Sequence, residues 1–333
     1  MKPVPRLFAS LAAVVCTALS MNHDNAQAAT LAGDWPNRPV RLVVAFPPGG
    51  GSDVVARSLG EGFTRRSGQP VVIDNKGGAS GAIGAYFVVK SAPDGYTFLL
   101  NQGGPGVTAP LTQKDIQYNP IRDFSHVVLI GQTPLGIFTT PNSTYNTLED
   151  VVRYARANPD KLDFGSPGIA TAGHLVAAVL QKNTGVRLNH IPYTGSAANV
   201  QGLLGGQVAV TFDTLSSNIP LVKAGKLHAL AVSTAQRAGS LPDVPTIREA
   251  GFPGAESSLW YGLSGPAGMP RPIVNAMNVA MNAYLGSPEG IKRLDDVGLL
   301  ARRGSTVEEF SAFVSEEFNK LQPIIRDSNI TTN

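Results

Sequence analysis

The chain has 333 residues, of which 43% are hydrophobic, and a formal net charge of +3 at pH 7. This length is enough for two domains of ~100–200 residues each. The small charge, without a cluster of lysines and arginines, excludes the electrostatic pattern of a nucleic-acid-binding protein. One cysteine, at position 16, excludes a disulfide framework.

The first 28 residues have the features of a secretory signal peptide. Lys2 and Arg6 are followed by an apolar stretch at 7–19, and an A-x-A cleavage motif ends at position 28. The apolar stretch is shorter than the ~20 residues that a membrane-spanning helix needs. We therefore predict export to the periplasm. Cleavage would also remove the cysteine, which leaves a mature chain without disulfides or thiolate metal ligands.

Short apolar strands alternate with amphipathic helices from residue 40 onwards, which is typical of an α/β protein with largely parallel sheets. In the first half we predict strands at 40–45, 70–74 and 96–101. Helices are predicted after residues 52 and 81. The first of them places Val55, Leu59 and Phe63 on one face and ends at Gly68.

The pattern restarts near residue 127 and ends with three helices. Extended segments are predicted at 127–130, 135–139, 162–166, 188–191, 208–212, 229–233 and 258–263. Helices are predicted at 147–157, 172–183, 197–204 and 219–223, and then from 270, from 287 and from a capping box at 305–308. A capping box is also predicted at 147–150, and a linker at 241–245.

This rhythm predicts two lobes with a ligand cleft between them. Residues 29–132 and 256–333 form the first lobe, and residues 133–255 form the second. The chain would cross between the lobes twice, with hinges at 131–134 and 253–258, because the pattern restarts at the first and ends at the second.

Four glycine-rich loops precede predicted helices, at residues 46–53, 75–84, 165–171 and 193–196. A loop in this position faces the N–H groups and the positive dipole end of its helix, which suit a carboxylate or a phosphate. One such loop alone is often only a tight turn. Two loops lie in each half, so they can face each other across a cleft, and together they favour an anionic ligand.

Motifs for cofactors and catalysis do not match. Position 54 is valine, where a dinucleotide fingerprint that begins at Gly49 and Gly51 requires glycine. Lys226 is followed by Leu227, so there is no phosphate-binding P-loop. The sequence has no G-x-S-x-G elbow and no H-x-x-x-H pair. We therefore predict no cofactor, no metal and no catalytic residue.

Four single side chains have two interpretations each. His174 follows a candidate ligand loop, but a packing or surface histidine is the simpler interpretation. Asp213 follows an apolar strand, where it either accepts from a ligand hydroxyl or amine, or caps Ser216 and nearby backbone. Trp260 and Tyr261 lie in a predicted inter-lobe strand, where core packing competes with ligand contact.

The chain resembles the extracytoplasmic solute receptors of tripartite tricarboxylate transporters, the Bug-type family. The resemblance covers nearly the whole mature chain, and its specificity comes from the order and spacing of short motifs. They are WPNRPV at 35–40, FPPGG at 46–50, APDGYT at 92–97, PYTG at 192–195, AGKL at 224–227 and LPDVPT at 241–246.

This resemblance implies a two-lobed periplasmic binding fold of type II and a carboxylate ligand held largely by loop backbone amides. The implied partners are a large and a small membrane subunit of the transporter, and the receptor itself is expected to be a monomer. The implied ligand contacts are Phe46, Gly50, Ser52 and Ser80 in the first lobe and Ser166, Thr171, Tyr193, Gly195 and Asp213 in the second. The chain departs from common family patterns at 76–81 and at Ala170.

The predicted function is a receptor that captures a small carboxylate, which includes a di- or tricarboxylate, an amino acid or an aromatic acid. A ligand-sensing module for a membrane signalling protein would have the same fold and stays open as an alternative. A periplasmic enzyme is a weaker alternative, because no nucleophile, metal set or cofactor fingerprint is present in the sequence.

Overall fold

The computed structural model describes residues 33–327, so the predicted signal peptide lies outside the described residues. The described chain alternates strands and helices as predicted. Its strands are β1 (Val40–Val44), β2 (Val71–Asn75), β3 (Thr97–Gln102), β4 (Phe124–Thr139), β5 (Asp163–Ser166), β6 (Asn189–Pro192), β7 (Val210–Thr214), β8 (His228–Val232), β9 (Ser258–Pro266) and β10 (Leu300–Ala301).

Helices connect these strands and close the chain. They are α1 (Gly51–Ser67), α2 (Ala82–Val89), α3 (Ala109–Thr112), α4 (Leu148–Ala157), α5 (Ala172–Thr184), α6 (Ser196–Leu204), α7 (Leu215–Lys223), α8 (Arg271–Leu285), α9 (Pro288–Asp296) and α10 (Val307–Asp327). A short π-helical turn, Gly104–Thr108, precedes α3. Within residues 33–327, no helix combines the length and the apolarity that crossing a bilayer requires.

Two sheets share one long strand. The first sheet has the order β2-β1-β3-β9-β4 with β10 beside β4, and the second has the order β8-β4-β7-β5-β6. In each sheet the strands followed by cleft loops are parallel to one another, as in β1 with β3 and β5 with β7. Their carboxyl ends therefore lie on one edge, where ligands of open α/β sheets bind.

Strand β4 changes partners in its middle. It pairs with β9 from Phe124 to Pro134, and with β7 from Leu135 onwards. The sequence pattern predicts two separate segments here, at 127–130 and 135–139, and the structure corrects them to one strand of 16 residues. The change of partner from β9 to β7 follows Pro134, which is the last residue of the first predicted hinge.

A serine ties the two crossings together. The hydroxyl of Ser233 accepts a hydrogen bond from Leu135 N (3.0 Å) and donates to Ser257 O (2.5 Å). Ser257 N also donates to Ser233 O (2.8 Å). Ser257 lies in the second predicted hinge, so both crossing points meet at one hydrogen-bonded position.

Helix α1 forms and stops for local reasons. Val55, Leu59 and Phe63 are at most 2% exposed, which confirms the predicted apolar face. The helix ends at Gly68, whose left-handed conformation (φ 70°) lets its N–H reach Thr64 O. This apolar face packs with β1, β3 and α8 into the main core of the first lobe.

The second lobe has its own core, centred on β5, β7 and α5. Phe164, Val176, Leu180 and Phe212 are buried in it, with at most 1% exposure. Helix α10 belongs to the first lobe, but its last turn reaches the second. There Ile325, which is 4% exposed, packs against Ala170.

The start of α10 differs from the predicted capping box by one residue. Thr306 Oγ1 accepts from Glu309 N (3.0 Å), and Glu309 Oε2 accepts from Thr306 N (3.1 Å). Ser305, predicted to cap the helix, instead accepts from Leu129 N (3.1 Å) in the neighbouring strand. The predicted box at the start of α4 is confirmed, since Thr147 and Asp150 bond reciprocally.

Candidate ligand-binding site

A small cavity lies where the carboxyl ends of the two sheets face each other. The volume that the centre of a water molecule can reach inside it is about 40 Å³. One water needs ~10–15 Å³ on this measure, so the cavity as described holds about three water-sized groups, and a larger ligand fits only if the surrounding segments close less tightly. Its lining consists of Phe46, Pro47, Gly50, Gly51, Ser52, Gln102, Gly104, Leu135, Pro167, Thr171, Ala172, Gly173, Gly195, Ser196, Thr214 and Leu259.

Four helices begin at this cavity. The residues that precede α1, α5, α6 and α7 are Gly50, Thr171, Gly195 and Thr214, and all four line it. None of these four residues caps its helix through a side-chain hydrogen bond. The first-turn N–H groups of a helix have no partner within that helix, so they are free to bind an acceptor in the cavity.

The described lining contains no charged side chain. Partial charge at four helix starts is therefore the main electrostatic feature of the cavity, and it is positive. The nearest carboxylate on α1 is Asp53, which is turned away to Arg57 (2.9 and 3.0 Å) and to Gly49 N (3.1 Å). Burial alone would raise the pKa of Asp53, but these hydrogen bonds outweigh it and hold the pKa below its usual value.

The two lobes touch around the cavity. A Cβ built on Gly51 would lie 2.5 Å from Thr214 Oγ1 and also too close to Ser216 Oγ. Ser80 Oγ donates across the cleft to Ile169 O (2.8 Å). In the described conformation the lobes are therefore in contact around the cavity, as in a closed binding protein.

Five of the predicted contact residues line the cavity: Phe46, Gly50, Ser52, Thr171 and Gly195. Three others are engaged elsewhere. Ser80 bonds to Ile169 O across the cleft, and Tyr193 OH donates to Gln207 Oε1 (3.1 Å). Ser166 is fully buried, with its hydroxyl between Gly168 O (2.9 Å) and His190 Nε2 (2.7 Å).

Asp213 lies behind the cavity and is fully buried. Its Oδ1 accepts from Ser196 Oγ and Thr214 N (both 2.6 Å), and its Oδ2 accepts from Asn199 Nδ2 (2.7 Å). Burial raises its pKa to about 6, although these hydrogen bonds act in the opposite direction. The structure therefore agrees with the capping interpretation, but the partners are the starts of α6 and α7 and not the side chain of Ser216.

His174 packs against another histidine and supports the loop that precedes α5. Its Nδ1 accepts from Ala170 N (3.0 Å), and its ring stacks on His190 with centroids 4.0 Å apart. Burial lowers the pKa of His174 to about 4 and that of His190 to about 3. Both rings are therefore neutral at pH 7. Ala170 needs such support because its φ of 58° is unfavourable for a residue with a side chain.

Trp260 and Tyr261 lie in β9 and are core residues. Trp260 packs edge-on against Phe310 and Phe313 at centroid distances of 5.9 and 5.5 Å. Tyr261 is fully buried, and burial raises the pKa of its hydroxyl. Neither residue lines the cavity.

Several lining residues were not predicted. Gln102 and Thr214 end strands β3 and β7, and a polar residue at the end of a parallel strand is a signal that could have identified them. Leu135 and Leu259 come from the crossing strands β4 and β9. Their position in the cavity depends on how the lobes meet, which no local pattern encodes.

Known proteins resemble this chain over most of its length. A profile described as tripartite tricarboxylate transporter family receptor matches residues 55–330. The solved structure of R. palustris Rpa4515 with adipate is 35% identical, with a TM-score of 0.86, and covers 89% of this chain and 99% of that one. MatC (Rpa3494) from Rhodopseudomonas palustris with bound malate is 30% identical, with a TM-score of 0.81 and coverages of 87% and 100%.

A third solved structure, periplasmic binding protein BugD, is 33% identical, with a TM-score of 0.84, and covers 90% of this chain and 100% of that one. The predicted two-lobed binding-protein fold is thus confirmed, as is the predicted family. The chain belongs to the tripartite tricarboxylate transporter receptor family.

Proposed function

We propose that the closed cavity binds a small carboxylic acid, which the protein delivers from the periplasm to the membrane subunits of a transporter. The observation that carries this proposal is the convergence of four uncapped helix starts on a cavity without a charged side chain. Such a cavity offers many donors and little net charge, which suits an acceptor-only carboxylate.

The expected affinity follows from these donors. A helix terminus stabilises an anion by ~0.3–1 kcal/mol when exposed and by up to ~2 kcal/mol when partly buried. A hydrogen bond to a charged acceptor adds ~1.5–3 kcal/mol. Two or three such bonds, less the cost of ordering the ligand, reach the ~8 kcal/mol of micromolar binding.

The acid should lack an amine. An ammonium group needs an acceptor, and neither carboxylate near the cavity lines it, because each is bonded to other groups. Asp213 binds Ser196, Asn199 and Thr214, and Asp53 binds Arg57. The solved relatives with adipate and malate hold acids of this kind.

Calorimetry and thermal unfolding test this proposal with succinate, malate and adipate as probes. Aspartate and the neutral diamides of the same acids are the matched controls. At 100 times Kd, a bound diacid should add ~2.7 kcal/mol to the free energy of unfolding. Equal binding of a diamide or of aspartate would contradict the proposal.

We further propose that the protein binds without turnover, as a monomer with the large and the small membrane subunit as partners. The proposal of binding without turnover is supported by the described residues, which contain no group of three or more potential metal ligands and line the cavity with no charged acid or base. The proposed partners follow from the family. Chromatography of the bound acid after long incubation should recover it unchanged, and steady formation of product would refute this.

The lobe boundaries at 132/133 and 255/256 remain part of the proposal. They are supported by the partner change of β4 after Pro134 and by the return of the chain at Ser258 into β9. Opening about these two points should raise the radius of gyration of the ligand-free protein in small-angle scattering. Identical profiles at proven saturation and without ligand would contradict a hinge.

A further inference from the structure

Gln102 lines the cavity with a polar side chain and is not one of the predicted ligand contacts. It is the last residue of β3, is 3% exposed and lines the cavity. Its Oε1 accepts a hydrogen bond from Ser52 Oγ (2.8 Å). Ser52 is itself a lining residue in the first turn of α1, so the two side chains form one polar pair at the cavity wall.

The backbone of Gln102 is fixed by a chain of buried hydrogen bonds. Gln102 N donates to Asn101 Oδ1 (2.9 Å), and Asn101 Nδ2 donates to Ser264 Oγ (3.1 Å). Ser264 Oγ meets His126 Nδ1 (3.0 Å), whose Nε2 meets Pro120 O (3.1 Å). Since a carbonyl only accepts, His126 Nε2 carries the hydrogen.

The donor and the acceptor in each of these hydrogen bonds are then determined. Burial lowers the pKa of His126 to about 4, so the ring is neutral at pH 7 and its Nδ1 accepts from Ser264. Ser264 in turn accepts from Asn101, whose oxygen is left for Gln102 N. Every hydrogen bond in this series has one donor and one acceptor, and together the bonds hold the end of β3 in place.

The side-chain amide of Gln102 still has an unused end. Its oxygen is bonded to Ser52, and in the described part of the chain its NH₂ group has no hydrogen-bond acceptor. An amide nitrogen carries two donors and accepts nothing. Gln102 therefore presents donors beside a cavity whose other polar side chains in the described lining are all hydroxyls and at which four helices begin.

We propose that Gln102 is a specificity-determining residue that distinguishes a carboxylate from an amide or an amine on the ligand, and that Ser52 is the positioning residue that sets its direction. The inference rests on the proposed function and refines it. A carboxylate accepts from the NH₂ group, whereas an amide nitrogen or ammonium in the same place would bring two donors together.

The test compares diacids with their half-amides at pH 8. Succinate and adipate are titrated against succinamic and adipamic acid, in the unmodified protein and in the near-isosteric variant Gln102→Glu. Gln102→Met is the control that removes the donor without adding an acceptor, and thermal unfolding without ligand checks that each variant is folded.

The unmodified protein should prefer the diacid by at least about 100-fold, because a site built to hydrogen-bond one group strongly rejects its mismatch. Gln102→Glu should reverse the preference towards the half-amide, and Gln102→Met should weaken diacid binding without such a reversal. Ser52→Ala should bind the diacid with a smaller preference, because the amide can then turn.

Two results would overturn the assignment in distinguishable ways. If no acid of the panel binds the unmodified protein, the proposed function and this assignment fail together. If a diacid binds but Gln102→Glu keeps both its affinity within about threefold and its preference over the half-amide, the proposed function stands and the role of Gln102 is wrong.

Discussion

Two groups of helix starts in this protein differ in how their free N–H groups are used. Helices α4, α9 and α10 start away from the cavity, and the side chains of Thr147, Ser287 and Thr306 cap them. Helices α1, α5, α6 and α7 start at the cavity and have no side-chain cap. Helices α2, α3 and α8 also lack a side-chain cap, although the residues before them do not line the cavity. A missing cap together with a start at the cavity therefore distinguishes the second group, whose donors we propose to bind the ligand.

The same residue type makes this difference clear. Thr147 precedes α4 and accepts from Asp150 N (3.1 Å), which is the usual capping bond. Thr171 precedes α5, but its hydroxyl donates back to Gly168 O (2.8 Å) and accepts no first-turn N–H. The identity of a residue before a helix therefore does not decide whether it caps. The preceding loop decides, through the acceptor that it offers.

The largest expected effect is the weakened binding in Gly51→Ala. The new Cβ would lie too close to the hydroxyls of Ser216 and Thr214 and 3.1 Å from Thr214 Cβ. The Ser216 hydroxyl can rotate away, but Thr214 cannot make room by rotation alone, so the lobes should close less tightly. Alanine is itself favourable inside a helix, so the first lobe should stay folded. Calorimetry should show a Kd about 100-fold weaker, or ~2.8 kcal/mol.

Gly239→Ala is the matched control for this variant. Gly239 is exposed, and a Cβ there would meet no atom within 4 Å. Its Kd should equal that of the unmodified protein. Tight binding by Gly51→Ala would show that the helix starts at the cavity bind the acid without closure of the lobes.

A second expected effect is the pH dependence of the free energy of unfolding, which three buried histidines and Asp213 determine. The pKa values of His126, His174 and His190 are lowered to between about 3 and about 4, so below pH 6.5 the unfolded chain binds protons that the native state does not. Asp213 acts in the opposite direction, because its raised pKa lets the native state bind a proton first as pH falls through 6.

The histidines outweigh the carboxylate even when the partly exposed His190 is discounted for solvent screening, so the free energy of unfolding should fall by roughly 2–3 kcal/mol between pH 6.5 and 5. Asp213→Asn removes the opposing contribution, so its decrease should be steeper. Urea titrations at several pH values measure both slopes. A flat profile, or a shallower one in the variant, would contradict the assigned protonation states.

A third and smaller effect separates the two groups of helix starts directly. Thr147→Ala removes a cap and should cost ~1 kcal/mol of stability with no change in Kd. Thr171→Ala removes no cap but does remove the hydrogen bond to Gly168 O, which holds a loop of the cavity, so it should cost a similar ~1 kcal/mol of stability and in addition weaken binding by about 5-fold. Urea unfolding and calorimetry on both variants test this. Equal effects of the two substitutions on both quantities would remove the distinction.

The smallest effect is expected from Lys76→Ala. Lys76 is the basic residue of the four predicted loops, but it pairs with Asp74 (3.4 Å) and lies over the ring of Phe87. It does not line the cavity. Its replacement should change Kd by less than about twofold, since exposed ion pairs contribute ~0–1 kcal/mol. If it is the most damaging variant in calorimetry, a charged side chain and not the helix starts binds the acid.

The sequence predicted the elements of each lobe better than the connection between them. The alternation of apolar strands and amphipathic helices is local, and Val55, Leu59 and Phe63 are buried as expected. Strand β4 looked like two segments, because Gly131 and Pro134 interrupt its apolar run. Pairing with β9 on one side and β7 on the other makes it continuous, and that pairing is a tertiary effect.

The candidate site shows the same limit. Three of the four predicted glycine loops contain residues that line the cavity, Gly50, Thr171 and Gly195, and their contact with a ligand stays a prediction. Gln102 was missed because a polar strand end is also common where no ligand binds. Leu135 reaches the cavity only because β4 crosses between the lobes.

The last turn of α10 offers a way to observe the receptor at work. Ile325 is anchored with the first lobe but rests on Ala170 of the second, beside a loop of the cavity. Gln322 is exposed one turn earlier. The processed chain would have no cysteine, so a dye attached to Gln322→Cys would label one position. Its fluorescence would follow each opening and closing, which would turn this receptor into an optical sensor for its own ligand.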